Sequence, residues 1–152
     1  MEQLNYLPDL DIQELEQLLL QMGEKKFRAR QIFSWIAKGV TNFNEMSDLS
    51  MAFRREMEQK AIVSGLNMKK KLVSALDGTI KYLFELLDGN IIESVLMKYI
   101  HGYTACISSQ VGCKMGCSFC ASTIAGFRRN LSAGEMLEQI LAIQRDSGVR
   151  VG

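Results

Sequence analysis

The chain has 152 residues, 47% of them hydrophobic, with 18 basic and 17 acidic side chains and a formal net charge of +1. That composition excludes intrinsic disorder, and the near-neutral charge excludes a uniformly basic nucleic-acid binder, so any RNA contact must come from local patches. No apolar run approaches a membrane span, and the start Met1-Glu2-Gln3-Leu4 lacks a basic-then-apolar signal, so the expected location is cytoplasmic.

In chain order, Ile12, Leu15, Leu19 and Met22 recur at helical spacing before Gly23 and predict a first helix. A second is expected over 27–38, with Ile32, Phe33, Trp35 and Ile36 as its apolar mass and Gly39 as its stop. A third is expected over 49–62, with Leu49, Phe53, Met57 and Ala61 along one face. Together they predict a helical accessory domain, residues 1–64, bounded by Ser64-Gly65-Leu66-Asn67. The pattern then changes to apolar runs over 71–76, 79–86 and 90–97, separated by Asp77-Gly78 and Asp88-Gly89. Asp-Gly between such runs predicts hairpins, because both residues tolerate the positive backbone angles of tight turns. With a fourth strand over 103–108, residues 65–104 read as a β-meander extension. Farther on, Ser132-Ala133-Gly134-Glu135 has the form of a capping box and opens a helix through Met136, Ile140, Leu141 and Ile143 to about Asp146. Val149, Val151 and Gly152 then read as another strand beginning. One strand, one loop and one helix cannot bury both faces of a parallel sheet, so a piece of a longer protein is expected.

All four cysteines, Cys106, Cys113, Cys117 and Cys120, lie between positions 106 and 120. In a reducing compartment such clustering points to metal or redox chemistry rather than disulfides. Cys113, Cys117 and Cys120 could each bind one iron of a 4Fe-4S cluster and leave the remaining iron without a protein ligand. S-adenosyl-L-methionine could chelate that open iron through its amino and carboxylate groups. The competing reading is a structural zinc site completed by Cys106 or His101, although three cysteines so close together would crowd one small tetrahedral ion. Phe119, immediately before the last cysteine, could flank the cofactor's adenine or serve as a buried loop aromatic.

The pattern Cys-x3-Cys-x-aromatic-Cys resembles the signature of the radical S-adenosylmethionine superfamily. The wider string from Cys106-Ile-Ser-Ser-Gln-Val-Gly-Cys113 to Gly126-Phe127-Arg128-Arg129-Asn130-Leu131 resembles, more specifically, the ribosomal large-subunit methyltransferase N family. Gly23-Glu24-Lys25, Phe27-Arg28-Ala29, Asp77-Gly78-Thr79 and Ile92-Glu93-Ser94-Val95 extend the likeness along the chain. The resemblance implies a fold class of α+β leading into α/β, with residues 105–152 forming the first strand-loop-helix of a partial (β/α) radical-SAM barrel. It implies a 4Fe-4S cluster held by Cys113, Cys117 and Cys120, with S-adenosyl-L-methionine as the second cofactor. The implied activity is methylation of carbon 2 of adenine in 23S rRNA and tRNA through a methyl-cysteine, with Glu93 as proton acceptor and Cys106 as resolving thiol. Implied partners are rRNA, tRNA and an electron donor such as flavodoxin or ferredoxin, acting on a monomeric enzyme with no membrane association.

By pattern alone Glu93 is an outward-facing strand carboxylate and Cys106 a small buried hydrophobe. Their functional readings require Glu93 near Cys106 on the side of the cluster loop, and Cys106 partly exposed. The groups Lys25, Lys26, Arg28 and Arg30, then Lys69, Lys70 and Lys71, then Arg128 and Arg129 could contact phosphates or be solvated surface. His101 is expected in an exposed turn without a role, Trp35 and the methionines in the core. Leu137, Ile140 and Leu141 would expose apolar surface on an incomplete barrel. Two rival functions are a related methyltransferase acting on carbon 8 of adenine, a resistance activity, and a zinc-stabilised RNA-binding module. The chain departs from the family in one large respect: no cysteine follows Cys120, so the methyl-carrying thiol has no counterpart here, and neither has the glycine-rich motif for the cofactor's methionine end. The expected outcome is that this chain alone transfers no labelled methyl group from S-adenosylmethionine to RNA. Measurable transfer would overturn that expectation.

Overall fold

The computed structural model describes residues 4–124 and 126–151, so the acidic start at residues 1–3 and the expected strand residue Gly152 lie outside the described part. The chain divides into two compact units, Met1–Gly65 and Leu66–Gly152.

In the first unit, β1 (Asn5–Tyr6) pairs in parallel with β2 (Ala61–Ile62), bringing the two ends of the unit together. Helices α1 (Ile12–Gln21), α2 (Phe27–Ala37) and α3 (Met51–Lys60) lie between them. Asp11 caps α1 by accepting from the N–H groups of Gln13 and Glu14, while the Glu14 carboxylate accepts from the Asp11 N–H at 2.9 Å. That reciprocal arrangement satisfies amides an uncapped helix would leave orphaned. Leu15, Leu19, Ile32, Met46, Phe53 and Met57 form the core. Each fully buried side chain of this size contributes about 1.5–3 kcal/mol, against about 0–1 kcal/mol for a surface ion pair. Packing therefore dominates this unit. Phe33, counted in the apolar mass of the second helix, is exposed, because the inward face of α2 is taken by Ala29, Ile32 and Ile36. The third helix is shorter than 49–62: Ser50 caps its start, and Ala61–Ile62 leave it to pair with β1.

The second unit is built on an antiparallel sheet in the order β3 (Asn67–Val73), β4 (Ile80–Glu85), β5 (Ile91–Tyr99), β6 (Gly102–Cys106). A two-stranded ladder, β7 (Gln110–Val111) with β8 (Arg129–Asn130), follows, and then α4 (Ala133–Ser147). The sheet has two different faces. Tyr82, Phe84, Ile92, Ser94 and Leu96 point to one side and are buried with Ala142 and Ile143 of α4. Lys81, Leu83, Glu93, Val95 and Cys106 share the opposite side, since they occupy the alternate positions of a paired register. The exposed edge strand β3 carries Lys69, Lys70 and Lys71 and a bulge between Met68 and Lys70, two devices that discourage another strand from adding on.

The hairpin turns differ from expectation. Among the described residues only glycines adopt positive φ, Gly78 at 70° and Gly89 at 78°. Asp77 and Asp88 keep ordinary backbone angles and instead accept the N–H groups of Thr79 (3.0 Å) and Asn90 (3.1 Å) with their carboxylates. The first turn begins at Ser74, whose N–H donates to the Thr79 carbonyl, so β3 ends at Val73 and its basic residues lie in the strand. The Ser132 capping box forms as expected, with Glu135 reaching back to the Ser132 N–H at 2.9 Å. Val151 makes an isolated parallel bridge to Tyr103, the first parallel pairing of the sheet.

Arg129 ties the unit together. Its guanidinium donates to both carboxylate oxygens of Glu135 at 2.7 Å and to Asp88 at 2.7 Å, joining the start of α4 to the β4–β5 turn. It is a structural clamp rather than the phosphate contact the sequence offered. Arg129 holds the Asp88 carboxyl down to about 2. Burial works against ionising Glu135, but the hydrogen bonds from Arg129 and Ser132 leave its carboxyl below the ordinary value. Both carboxyls are depressed on folding, so their stabilisation is present above about pH 4 and is lost as the pH falls toward 2. Denaturant melts of wild type and Asp88→Asn should diverge above pH 4, with the wild type more stable, and converge near pH 2. A constant offset across that range would show that Asp88 does not contribute through its charge.

Candidate functional site

A cleft of about 740 Å³ lies at the start of β5. One wall is Ile91, Ile92 and Glu93, with Gly89 and Asn90 of the preceding turn. The other comes from residues 107–113 and, across the cysteine loop, Cys120, Ala121, Ser122, Gly126 and Arg128. Glu93 thus shares a cleft with Cys113 and Cys120. Its carboxylate is exposed and paired with Lys81 of the adjacent strand at 2.8 Å, on the sheet face turned away from α4.

The cysteine loop is closed at its base by backbone. Gln110 and Val111 pair with Asn130 and Arg129, the Arg128 N–H donates to the Val111 carbonyl at 2.9 Å, and the Leu131 N–H to the Ser109 carbonyl at 2.9 Å. Gly112 sits where the two ends touch. It has φ +72°, and a Cβ there would lie 1.7 Å from the Gly126 carbonyl oxygen. Only glycine fits, on both conformation and space. Within the loop, Cys120 N–H donates to the Cys117 carbonyl at 3.1 Å, and the Thr123 hydroxyl lies within hydrogen-bond distance of the carbonyls of Cys117 and Cys120. Lys114 lies 4.2 Å from the ring centre of Phe127, a further link across the loop.

All four thiols are free; Cys113, Cys117 and Cys120 are half-buried and Cys106 is exposed. Among the described residues, no three His, Cys, Asp or Glu side chains converge as donors for one metal ion. A four-iron cluster takes one thiolate per iron, so three separate half-buried thiols on one closed loop fit it. His101 lies in the β5–β6 turn stacked on Tyr99 at 5.4 Å, and neither it nor Cys106 lines the cleft.

Cys106 pairs with Val95, two residues along β5 from Glu93, so the thiol and the carboxylate share a sheet face as diagonal neighbours. Phe119 does not line the cleft: the tight turn between Cys117 and Cys120 faces its ring outward, 91% exposed. The basic residues divide. Arg28 is held by Glu24 at 2.7 Å and stacks over Phe53, Lys69 pairs with Glu85, and Lys71 with Asp146. Lys25, Arg30, Lys70 and Arg128 make no ion pair among the described residues, and Arg128 lines the cleft. Sequence reasoning missed Gln139, Ser94 and Ser108. The available signal was a glutamine on the same helical stripe as Ala142 and Ile143, where an apolar residue is the norm.

The whole second unit, three partly exposed thiols on a loop after a β-meander and before a helix, has the architecture of a radical SAM methyltransferase. Such an enzyme from Sphaerobacter thermophilus has a crystal structure that superposes with a TM-score of 0.87 at 39% identity, over 97% of this chain and 44% of that one. Within that class the chain is similar to the amino-terminal portion of RlmN sequences. Residues 5–63 match the ribosomal RNA large subunit methyltransferase N-terminal domain. The probable dual-specificity RNA methyltransferase RlmN of Alkaliphilus oremlandii is 55% identical over 99% of this chain, and that of Thermoanaerobacter pseudethanolicus 49% over 93%. The chain spans 44% and 42% of those relatives. No helix among the described residues is long and apolar enough to cross a membrane.

Gly112→Ala tests the loop closure. Backbone strain alone costs about 1–2 kcal/mol, and the collision with Gly126 adds to it. The variant should melt at lower temperature and be cleaved by protease within residues 113–124. Unchanged melting and protease resistance would show that the loop base tolerates a side chain.

Proposed function

We propose that this chain is the cluster-binding and substrate-facing part of a radical SAM enzyme that methylates carbon 2 of adenine in rRNA and tRNA. The observation that carries the proposal is the cleft shared by Glu93, Cys113 and Cys120. Its second unit supplies the opening strand, loop and helix of a partial (β/α) barrel, with Val151 beginning the next parallel strand.

Cys113, Cys117 and Cys120 would hold a 4Fe-4S cluster, with one iron left for S-adenosyl-L-methionine. Bound together, the two cofactors supply the radical chemistry that a weakly nucleophilic adenine ring carbon requires. The protein's own residues orient and protect. The closed loop base keeps the thiols in one neighbourhood, and the cleft wall limits water. Glu93, exposed on that wall, accepts the proton lost when the ring becomes aromatic again. Cys106, an accessible thiol on the same sheet face, resolves the protein–RNA intermediate. Phe119, open to solvent on the loop, is free to flank an adenine. Of the basic groups singled out, Lys25, Arg30, Lys70 and Arg128 are available for phosphate. An electron donor of the flavodoxin or ferredoxin type completes the system. The relatives' names as dual-specificity RNA methyltransferases RlmN favour this reading over the carbon-8 enzyme.

The test is anaerobic reconstitution with iron and sulfide, followed by electron paramagnetic resonance of the reduced chain with and without S-adenosylmethionine. The wild type and Cys106→Ser should show a cluster signal that changes on adding the cofactor. Cys113→Ser, Cys117→Ser or Cys120→Ser should lose most of the signal. Tight zinc with no cluster, or a cluster indifferent to those three substitutions, would overturn the assignment.

A further inference from the structure

We infer that Gln139 is a positioning residue: from inside α4 it fixes the segment that carries the chain from the sheet into the cysteine loop, and so sets the distance between Glu93 and that loop. This rests on the function proposed above. The Gln139 side chain is completely buried, in a helix face otherwise packed with Ala142 and Ile143. Burying an amide there is unfavourable unless every donor and acceptor is satisfied, and here they are. Its Oε1 accepts from the Ser94 hydroxyl at 2.8 Å and from the Ser108 N–H at 2.9 Å. Its Nε2 donates to the Ser108 carbonyl at 3.0 Å and to the Glu135 carbonyl one turn back at 3.1 Å.

Both backbone groups of Ser108 are thus engaged by one side chain, which mimics the partner strand that Ser108 lacks. That is why β6 stops at Cys106 rather than running to Ser108 as the sequence suggested. Ser108 uses its remaining group on the site itself: its hydroxyl donates to the Glu93 carbonyl at 2.7 Å. Gln139 therefore reaches Glu93 by two routes, through Ser94 next door on β5 and through Ser108. Two residues past Ser108, β7 begins and leads directly to Gly112 and Cys113. A leucine at 139 fills the volume but leaves the Ser94 hydroxyl and the Ser108 amide and carbonyl unpaired. The segment would then move toward solvent to recover those bonds.

Two measurements on Gln139→Leu and Ser108→Ala separate this role from general stabilisation. The first needs no cofactor: amide hydrogen exchange on the chain without cluster. Gln139→Leu should accelerate exchange at residues 107–113 and at the start of β5 by about tenfold or more, each tenfold being 1.4 kcal/mol, while β3, β4 and the end of α4 keep wild-type protection. Ser108→Ala keeps all four Gln139 bonds and should loosen only the start of β5. Uniform acceleration across residues 66–151, or none, would overturn the inference whether or not a cluster binds. The second is titration of the reconstituted cluster with S-adenosylmethionine, followed by paramagnetic resonance. Half-saturation should rise about tenfold in Gln139→Leu and less in Ser108→Ala. Equal titrations in folded variants would also reject it. Failure of the wild type to acquire a cluster would instead count against the proposed function, leaving the exchange result to decide the role of Gln139.

Discussion

Everything the second unit can do depends on holding the two ends of one loop together. Three thiols brought by a single irregular segment have no fixed relation to one another or to the sheet unless its base is closed. The pairing of Gln110 and Val111 with Arg129 and Asn130 does this with backbone alone, and the contact of Gly112 on the Gly126 carbonyl leaves no room for a side chain. Arg129 then fastens the returning strand to α4 through Glu135 and to the β4–β5 turn through Asp88. The same turn forms the edge of the cleft, so the clamp that stabilises the unit also places Gly89 and Asn90 beside the loop.

The sheet divides its labour between its faces. The side against α4 buries aromatic and aliphatic groups and admits polar atoms only where they are paired: Ser94 with Gln139, and Tyr82 with Asp146 at 2.8 Å. Burial, then the Asp146 carboxylate, pushes the Tyr82 hydroxyl well above its ordinary value, so it stays neutral and donates. The other side carries Glu93, Lys81 and Cys106 in the open. Alternate positions of one paired register keep the carboxylate and the thiol together on that open face.

Much of this was legible in the sequence, for identifiable reasons. Helical spacing placed α1 and α3, and the capping box placed the start of α4, because each is a local rule. The cysteine spacing and its flanking strings pointed to the family that the relatives share. What the sequence hid was decided by tertiary partners. Phe33 is exposed because three other residues of α2 reach the core. Arg129, open in the sequence to phosphate contact or solvated surface, is held by Asp88 and Glu135. The ladders β1–β2 and β7–β8 are two residues long on each strand, too short for any periodicity to show. Gln139 shows in the sequence only as a polar residue on the apolar stripe of α4, and its partners, the Ser94 hydroxyl and the Ser108 backbone, come from tertiary structure.

In the proposed function the three cysteines leave one iron of a four-iron cluster open to S-adenosylmethionine. Mössbauer spectroscopy of the chain reconstituted with 57Fe reads this directly. Adding the cofactor should resolve one iron from the other three, with a shift toward higher coordination at that iron alone. Four irons that stay equivalent with and without the cofactor, or iron bound without a cluster spectrum, would contradict the account.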